Sequence, residues 1–233
     1  MNRVTAIVLA AGQGKRMNSA VAKQFLMLRD KPVIYYSLKA FEESLVDEII
    51  LVTGDGQVGY CLNEIVGKYH FSKVVKVVEG GKERYDSVFQ ALINAGKTDY
   101  VLIHDGARPF ISSQLINGII ESVKEWKACI LGMPVKETIK IVDDQGYITA
   151  TPNRNTLWAA QTPQAFDYAS ILKAYESFYG EKDRTSIAVT DDAMVYETFL
   201  KQPVRMLPGD YNNIKITTPE DLILAEELLR HRT

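Results

Sequence analysis

Three cations, Lys15, Arg16 and Lys23, follow a run of small residues (Ala10, Ala11, Gly12, Gln13, Gly14), which itself follows an apolar stretch at residues 4–9. An apolar run emptying into small residues is the pattern of a buried parallel strand leading into a tight loop. Small side chains let backbone N–H groups approach an anion closely. Loop and cations together read as a site for a polyphosphate; the plainer alternative is a strand–loop turn with a solvated basic tail. Two familiar motifs are excluded. A P-loop requires G-x-x-x-x-G-K-[ST], but Leu9 stands where its first glycine belongs and Arg16 follows Lys15. A dinucleotide fingerprint requires G-x-G-x-x-G, and after Gly12 and Gly14 the last position is Met17.

The elements that must position these groups alternate in type. Apolar runs predict strands at residues 48–53, 74–78, 100–104 and 128–135, and helical periodicity lies between them at 32–44, 57–69, 86–95 and 114–126. That alternation predicts right-handed βαβ units, a largely parallel sheet and an α/β fold. Ligands of such sheets bind beyond the carboxyl ends of the strands. Each predicted strand end delivers chemistry: Gly80, Gly81 and Arg84 after the third, Asp105, Gly106 and Arg108 after the fourth, and Lys215 within a late strand at 213–217. Glycines, cations and a carboxylate recurring at one sheet edge favour the anion site over the plain turn. Asp105 stands among groups suited to phosphates, where holding a divalent cation such as Mg²⁺ is its natural role. The alternatives are a helix cap or an ion pair with Arg108. His104 is assigned to packing behind the loop.

The rhythm breaks at residues 137–142 and 147–151, two alternating stretches around the turn Asp143-Asp144-Gln145-Gly146. They predict a β-hairpin, and an isolated hairpin is marginal in water. A second subunit is the economical cover; folding back on its own domain is the alternative. Helices are predicted next at 167–179 and at 191–200, the latter capped by Thr190, then a strand at 204–207 and a last helix from Pro219 to about Arg230.

Composition bounds the rest. With 233 residues, 46% of them apolar, the chain has a sizeable core and is expected to form a single domain over 1–233 with an inserted β-arm at about 137–155. A net charge of −2 argues against a broad nucleic-acid surface. No apolar run approaches a membrane span, and no signal-peptide pattern opens the chain. Cys61 and Cys129 form no C-x-x-C and read as buried thiols of a cytoplasmic protein. Three isolated histidines give no zinc signature, and no G-x-S-x-G marks a hydrolase nucleophile.

The motifs taken together resemble a known family. The LAAGxGxRM loop with Lys23 is similar to that of sugar-nucleotide-type nucleotidyltransferases. The segments GGKERYDSV (80–88), HDGARP (104–109), PVKETIK (134–140), LW (157–158) with QTPQ (161–164), TDDA (190–193) and NIKIT (213–217) narrow the resemblance to bacterial 2-C-methyl-D-erythritol 4-phosphate cytidylyltransferases of the non-mevalonate isoprenoid pathway. It spans about residues 4–229. The resemblance implies a Rossmann-like three-layer sandwich with a mostly parallel central sheet and a hairpin arm that forms a homodimer. It implies that Ala10, Ala11, Gly12, Gly14, Arg16 and Lys23 hold the CTP triphosphate, with Arg16 and Lys23 stabilising charge at the α-phosphate. It places Gly80, Gly81 and Ser87 around cytosine and ribose, with Gly106 also on the nucleotide side, and Asp105 near the metal and the sugar. Arg108, Thr190 and Lys215 match positions that bind the polyol phosphate, and Arg154 matches an arginine reaching into the partner's site. Lys215 and Arg154 thus join Arg16 and Lys23 as catalytic cations. One position departs from the family pattern: Ala22 stands where proline usually precedes the lysine. The implied reaction transfers a cytidylyl group to a polyol phosphate. Ribitol 5-phosphate cytidylyltransferase is the nearest rival, and a non-catalytic nucleotide sensor or scaffold is the rival of another class.

Overall fold

The structure, a computed structural model, describes residues 2–12 and 22–231. In chain order, strand β1 (Val4–Ala10) is followed by a 3-10 turn at Lys23–Phe25, a small hairpin β2 (Met27–Leu28) and β3 (Lys31–Pro32), and helix α1 (Val33–Glu42). Strand β4 (Glu48–Thr53) leads to α2 (Val58–Tyr60), which runs on as a π-helix over Cys61–Gly67. Then come β5 (Val74–Glu79), α3 (Arg84–Asn94), β6 (Tyr100–Asp105), α4 (Ser113–Trp126) and β7 (Ala128–Pro134). A second small hairpin, β8 (Ile141–Val142) and β9 (Ile148–Ala150), precedes β10 (Trp158–Asp167), α5 (Tyr168–Gly180), α6 (Asp192–Leu200), β11 (Arg205–Pro208) and α7 (Pro219–Arg230).

Seven of these strands form one sheet in the order β11-β7-β10-β6-β1-β4-β5. Its strands run parallel except β10, which is antiparallel to both β6 and β7. The first strand shows why the sheet sits in the middle. Val4, Ala6, Val8 and Ala10 pack on one face with α1, the π-helix and α4, while Ile7 packs on the other with α3, α5 and α6. Period-two alternation thus feeds both helical layers, and β4 and β6 are buried along their whole length. Leu28, Val33, Phe110, Ile216 and Ala225 form a third, smaller cluster beneath α7. The result is the expected three-layer α/β sandwich.

Three local expectations are corrected. Residues 213–217 form no strand: they cross the carboxyl end of the sheet, where β6 already has β1 and β10 as neighbours. Their backbone is used otherwise, with Ile216 N–H donating to the Ala107 carbonyl at 2.8 Å and the Asn213 carbonyl accepting from Arg108 at 2.7 Å. The cap of α6 is Asp191, whose Oδ1 accepts from Met194 N–H at 2.9 Å, not Thr190. The long strand β10 was not expected at all. Pro163 argues against a strand, and the ladder accommodates it in a register shift between Ala160 and Gln164.

The hairpin forms, but shorter than predicted, and β8 and β9 make a two-stranded sheet of their own. Ile141, Val142, Tyr147 and Ile148 are 50–69% exposed, so the hairpin is not folded back on its own domain.

Candidate active site

A cavity of about 980 Å³ opens at the carboxyl ends of β1, β4, β5 and β6. Its walls come from the turns after those strands: Ala11 and Gly12; Gly54, Asp55 and Gln57; Gly80 to Arg84; Asp105 and Ala107. Lys23 and Gln24 line it from the 3-10 turn, and Lys215 from a loop.

The turn after β5 explains two glycines. A Cβ on Gly80 would stand 2.5 Å from Ser87 Oγ and 2.7 Å from the Ala11 Cβ, and one on Gly81 would overlap the Asp86 side chain. The chain therefore passes close to both β1 and the start of α3. A reciprocal capping box, Glu83 with Asp86, starts α3 at that point and sets Arg84 at its first helical position. A Cβ on Gly106 would overlap Ile34 and stand 2.8 Å from the Leu9 carbonyl, so Gly106 serves close packing behind the wall. Gly12 meets nothing within 4 Å on its Cβ side and borders the open cavity.

Arg84 is the hub of the electrostatics. Its Nε donates to Asp105 Oδ1 at 3.1 Å, and its two Nη groups donate to Asp192 Oδ1 and Oδ2 at 3.0 and 2.8 Å. Lys215 Nζ donates to the other Asp105 oxygen at 2.7 Å. Burial opposes ionisation of Asp105, but Arg84 and Lys215 outweigh it and hold the carboxyl well below the usual carboxylate range. Burial likewise opposes the charge on Arg84, yet Asp192 and Asp105 keep its pKa well above the ordinary value. Of the alternatives weighed for Asp105, an ion pair is the one that forms, with Arg84 and Lys215 rather than with Arg108. Arg108 donates to the Asn213 carbonyl, while its Nε is buried with no hydrogen-bond partner among the described residues.

Behind this wall His104 is fully buried, with Nδ1 3.1 Å from Thr162 Oγ1 and Nε2 3.4 Å from the Arg108 carbonyl. Thr162 Oγ1 also accepts from the Asp105 N–H at 3.0 Å. Burial drives the His104 pKa down to about 3, so the ring is neutral and orders the loop rather than carrying a charge.

The residues singled out from sequence divide into three groups. Ala11, Gly12, Lys23, Gly80, Gly81, Ser87, Asp105 and Lys215 line the cavity. Ala10, Gly106, Arg108, Thr190 and Arg154 do not. Ala10 is buried beside the cavity, its carbonyl accepting from Gln24 Nε2. Thr190 is exposed, with its hydroxyl 3.7 Å from Met194 Sδ, and Arg154 is exposed beyond the hairpin, donating to the Lys136 carbonyl at 3.0 Å. Gly14 and Arg16 lie outside the described residues. Sequence reasoning passed over Asp192, Tyr175, Gln164 and Gln57. The TDDA segment was the available signal for Asp192, but its partner Arg84 lies 108 positions earlier.

The donor set does not make a resident metal site. Among the described residues no three His, Cys, Asp or Glu side chains cluster, and both Asp105 oxygens already accept from cations.

Sheet order, helical layers and a cavity of glycines and cations at the strand ends define the class as an α/β protein with an anion-binding cavity at the carboxyl ends of its strands. Comparison with known proteins gives the family. The profile of 2-C-methyl-D-erythritol 4-phosphate cytidylyltransferase matches residues 4–231, and the chain belongs to that family. A relative of that name from Lachnoclostridium phytofermentans is 53% identical over 230 residues, covering 99% of this chain and 97% of the relative. One from Lachnospira eligens is 50% identical, covering 97% and 99%. The crystal structure of 4-diphosphocytidyl-2C-methyl-D-erythritol synthase from Anaerococcus prevotii matches with a TM-score of 0.85 at 33% identity, covering 98% of this chain and 96% of that one.

Proposed function

We propose that the chain catalyses transfer of a cytidylyl group from CTP to 2-C-methyl-D-erythritol 4-phosphate, a step of non-mevalonate isoprenoid synthesis. The carrying observation is the cavity itself, where Lys23, Arg84 and Lys215 stand among the glycine turns at the ends of parallel strands. A phosphate oxygen of the polyol phosphate attacks the α-phosphorus in line. The new P–O bond forms as the α–β anhydride bond breaks, and pyrophosphate leaves with the electron pair. The nucleophile is ionised at neutral pH, so no general base is needed, in keeping with a neutral, buried His104. Catalysis rests on holding two mutually repelling anions together and on fixed positive charge where charge develops.

Ala11, Gly12, Lys23 and, from the segment outside the described residues, Gly14 and Arg16 take the triphosphate. Gly80, Gly81 and Ser87 take the nucleoside. Lys215, Arg108 and Thr190 take the polyol phosphate. A divalent cation arriving with the triphosphate would supply charge neutralisation there, while Asp105 stays the partner of Arg84 and Lys215. Arg154 acts in the partner's site, a role consistent with its exposure and its absence from the cavity of its own chain. The exposed apolar side chains of the β8–β9 arm support a homodimer. Two free, buried cysteines support the cytoplasm as its compartment.

The test is pyrophosphate release from CTP with each polyol phosphate in parallel. Turnover with the methylerythritol phosphate and not with ribitol 5-phosphate is expected. The reverse preference overturns the substrate, and tight CTP binding without turnover on either revives the sensor reading.

A further inference from the structure

Asp192 is fully buried at the first turn of α6, outside the cavity lining, yet both its carboxylate and its backbone are hydrogen-bonded. Both its oxygens accept from Arg84, and Oδ1 also accepts from Tyr175 Oη at 2.6 Å. Its own N–H and that of Ala193 donate to Gln164 Oε1, each at 3.0 Å, and Gln164 Nε2 donates to Asp191 at 2.9 Å. Three elements supply this cluster: β10 gives Gln164, α5 gives Tyr175, and α6 gives Asp192. All of it converges on one guanidinium, whose remaining Nε reaches Asp105 on the cavity wall.

We infer that Asp192 is a positioning residue: it fixes the Arg84 guanidinium, and through it the ionised Asp105 between Arg84 and Lys215. A second consequence follows from charge. Asp192 neutralises Arg84 from behind and so limits the positive field that Arg84 presents to polyanions in the cavity. A fork–fork pair adds geometric specificity to that neutralisation. The inference deepens the proposed function and rests on it.

Asp192→Asn keeps the volume and the Tyr175 hydrogen bond. It replaces one acceptor of Arg84 with an N–H that repels it. The expected result is a fall in kcat of about 10- to 100-fold through misplacement of the wall groups. With Arg84 no longer neutralised from behind and left with Asp105 alone, KM for CTP and the inhibition constant of pyrophosphate fall together rather than rise. Loss of a purely structural contact would not tighten pyrophosphate. In an Arg84→Met background the Asp192→Asn substitution is expected to have no further effect on kcat, because the group it acts through is gone. Tyr175→Phe, which leaves the charge in place, provides a milder variant if Asp192→Asn does not fold. It is expected to lower kcat severalfold in the wild-type background and not in Arg84→Met. Pyrophosphate release and calorimetric CTP binding are read on the same samples. Equal falls in kcat in both backgrounds, or unchanged kcat and pyrophosphate affinity, overturn the positioning role. Failure of the unsubstituted protein to turn over any polyol phosphate overturns the functional reading instead.

Discussion

The wall of the cavity and the β8–β9 arm are opposites. On the wall, Arg84, Asp105, Asp192 and Lys215 satisfy one another within a single chain, and Asp192 is wholly buried. On the arm, the apolar side chains of Ile141, Val142, Tyr147 and Ile148 stand half or more exposed in a sheet of two strands. The wall is complete and the arm is not. The difference teaches where to look for each kind of dependence: in the fold's own charges for the first, and, under the proposed homodimer, in a second copy of the chain for the other.

The strongest way to break the wall is Arg84→Met. It leaves the buried Asp192 carboxylate without its cation, which costs about 3–5 kcal/mol of stability by the usual penalty for stranding a buried charge. Chemical denaturation measures it. If the wall is one unit, adding Asp192→Asn returns part of that loss, since the stranded charge is then removed as well. A further drop in the double variant would show the two residues to be independent.

Lys23 separates chemistry from stability. It lines the cavity but is only half-buried. Lys23→Ala is expected to lower kcat by about 10²–10³-fold, the range for losing one group aimed at developing charge. Its denaturation midpoint should stay near that of the parent. Near-normal turnover would remove Lys23 from the catalytic set.

These contrasts mark what was legible in the sequence. The buried parallel strands β1, β4 and β6 were readable because burial on both faces writes itself as an unbroken apolar run. The cavity turns were readable because glycine and arginine follow those runs at once. Residues 213–217 looked like a strand from their own pattern, but whether a strand forms is decided by an open sheet edge, which a local pattern does not encode. The Arg84–Asp192 pair was illegible for a related reason. Each residue is ordinary alone, and their meeting depends on β10, a strand that Pro163 disguises.

The wall also sets the pH response. His104 has a folded pKa of about 3 against an ordinary value of 6.5. Between those values the unfolded chain binds the extra proton, so stability is full above about pH 6.5 and falls as the pH drops. The expected loss is about 2 kcal/mol between pH 6.5 and pH 5, at roughly 1.4 kcal/mol per unit. Asp105 is also depressed, but its contribution is lost only below its ordinary value of 3.8, so the stretch from pH 6.5 down to 3.8 is free of Asp105 and reports His104. Denaturation at several pH values should show that stretch flattened in His104→Asn. An unchanged slope would assign it to other groups.

The arm gives a smaller effect of a different kind. Ile148→Asp places a charge on an exposed apolar strand. Sedimentation is expected to show the dimer weakened by at least about tenfold, while the stability of one chain changes within about 0.5 kcal/mol. A parent protein that sediments as a monomer, or a variant dimer of unchanged affinity, would leave the arm without its assigned partner.

The smallest expected effect has the opposite sign. Ala22 stands where the resemblance leads one to expect proline, whose ring would restrict the backbone leading into Lys23. In the structure Ala22 has φ −59° and ψ 136°, within the window that a proline ring imposes. The folded geometry is therefore already the proline geometry, and the substitution is felt chiefly in the unfolded chain, which keeps more freedom with alanine. Ala22→Pro is expected to raise stability by about 0.4–1 kcal/mol, or roughly 1–4 °C in Tm for a chain of this size. A lower Tm would mean that the ring meets an obstacle, and that alanine here answers a local constraint rather than relaxing one.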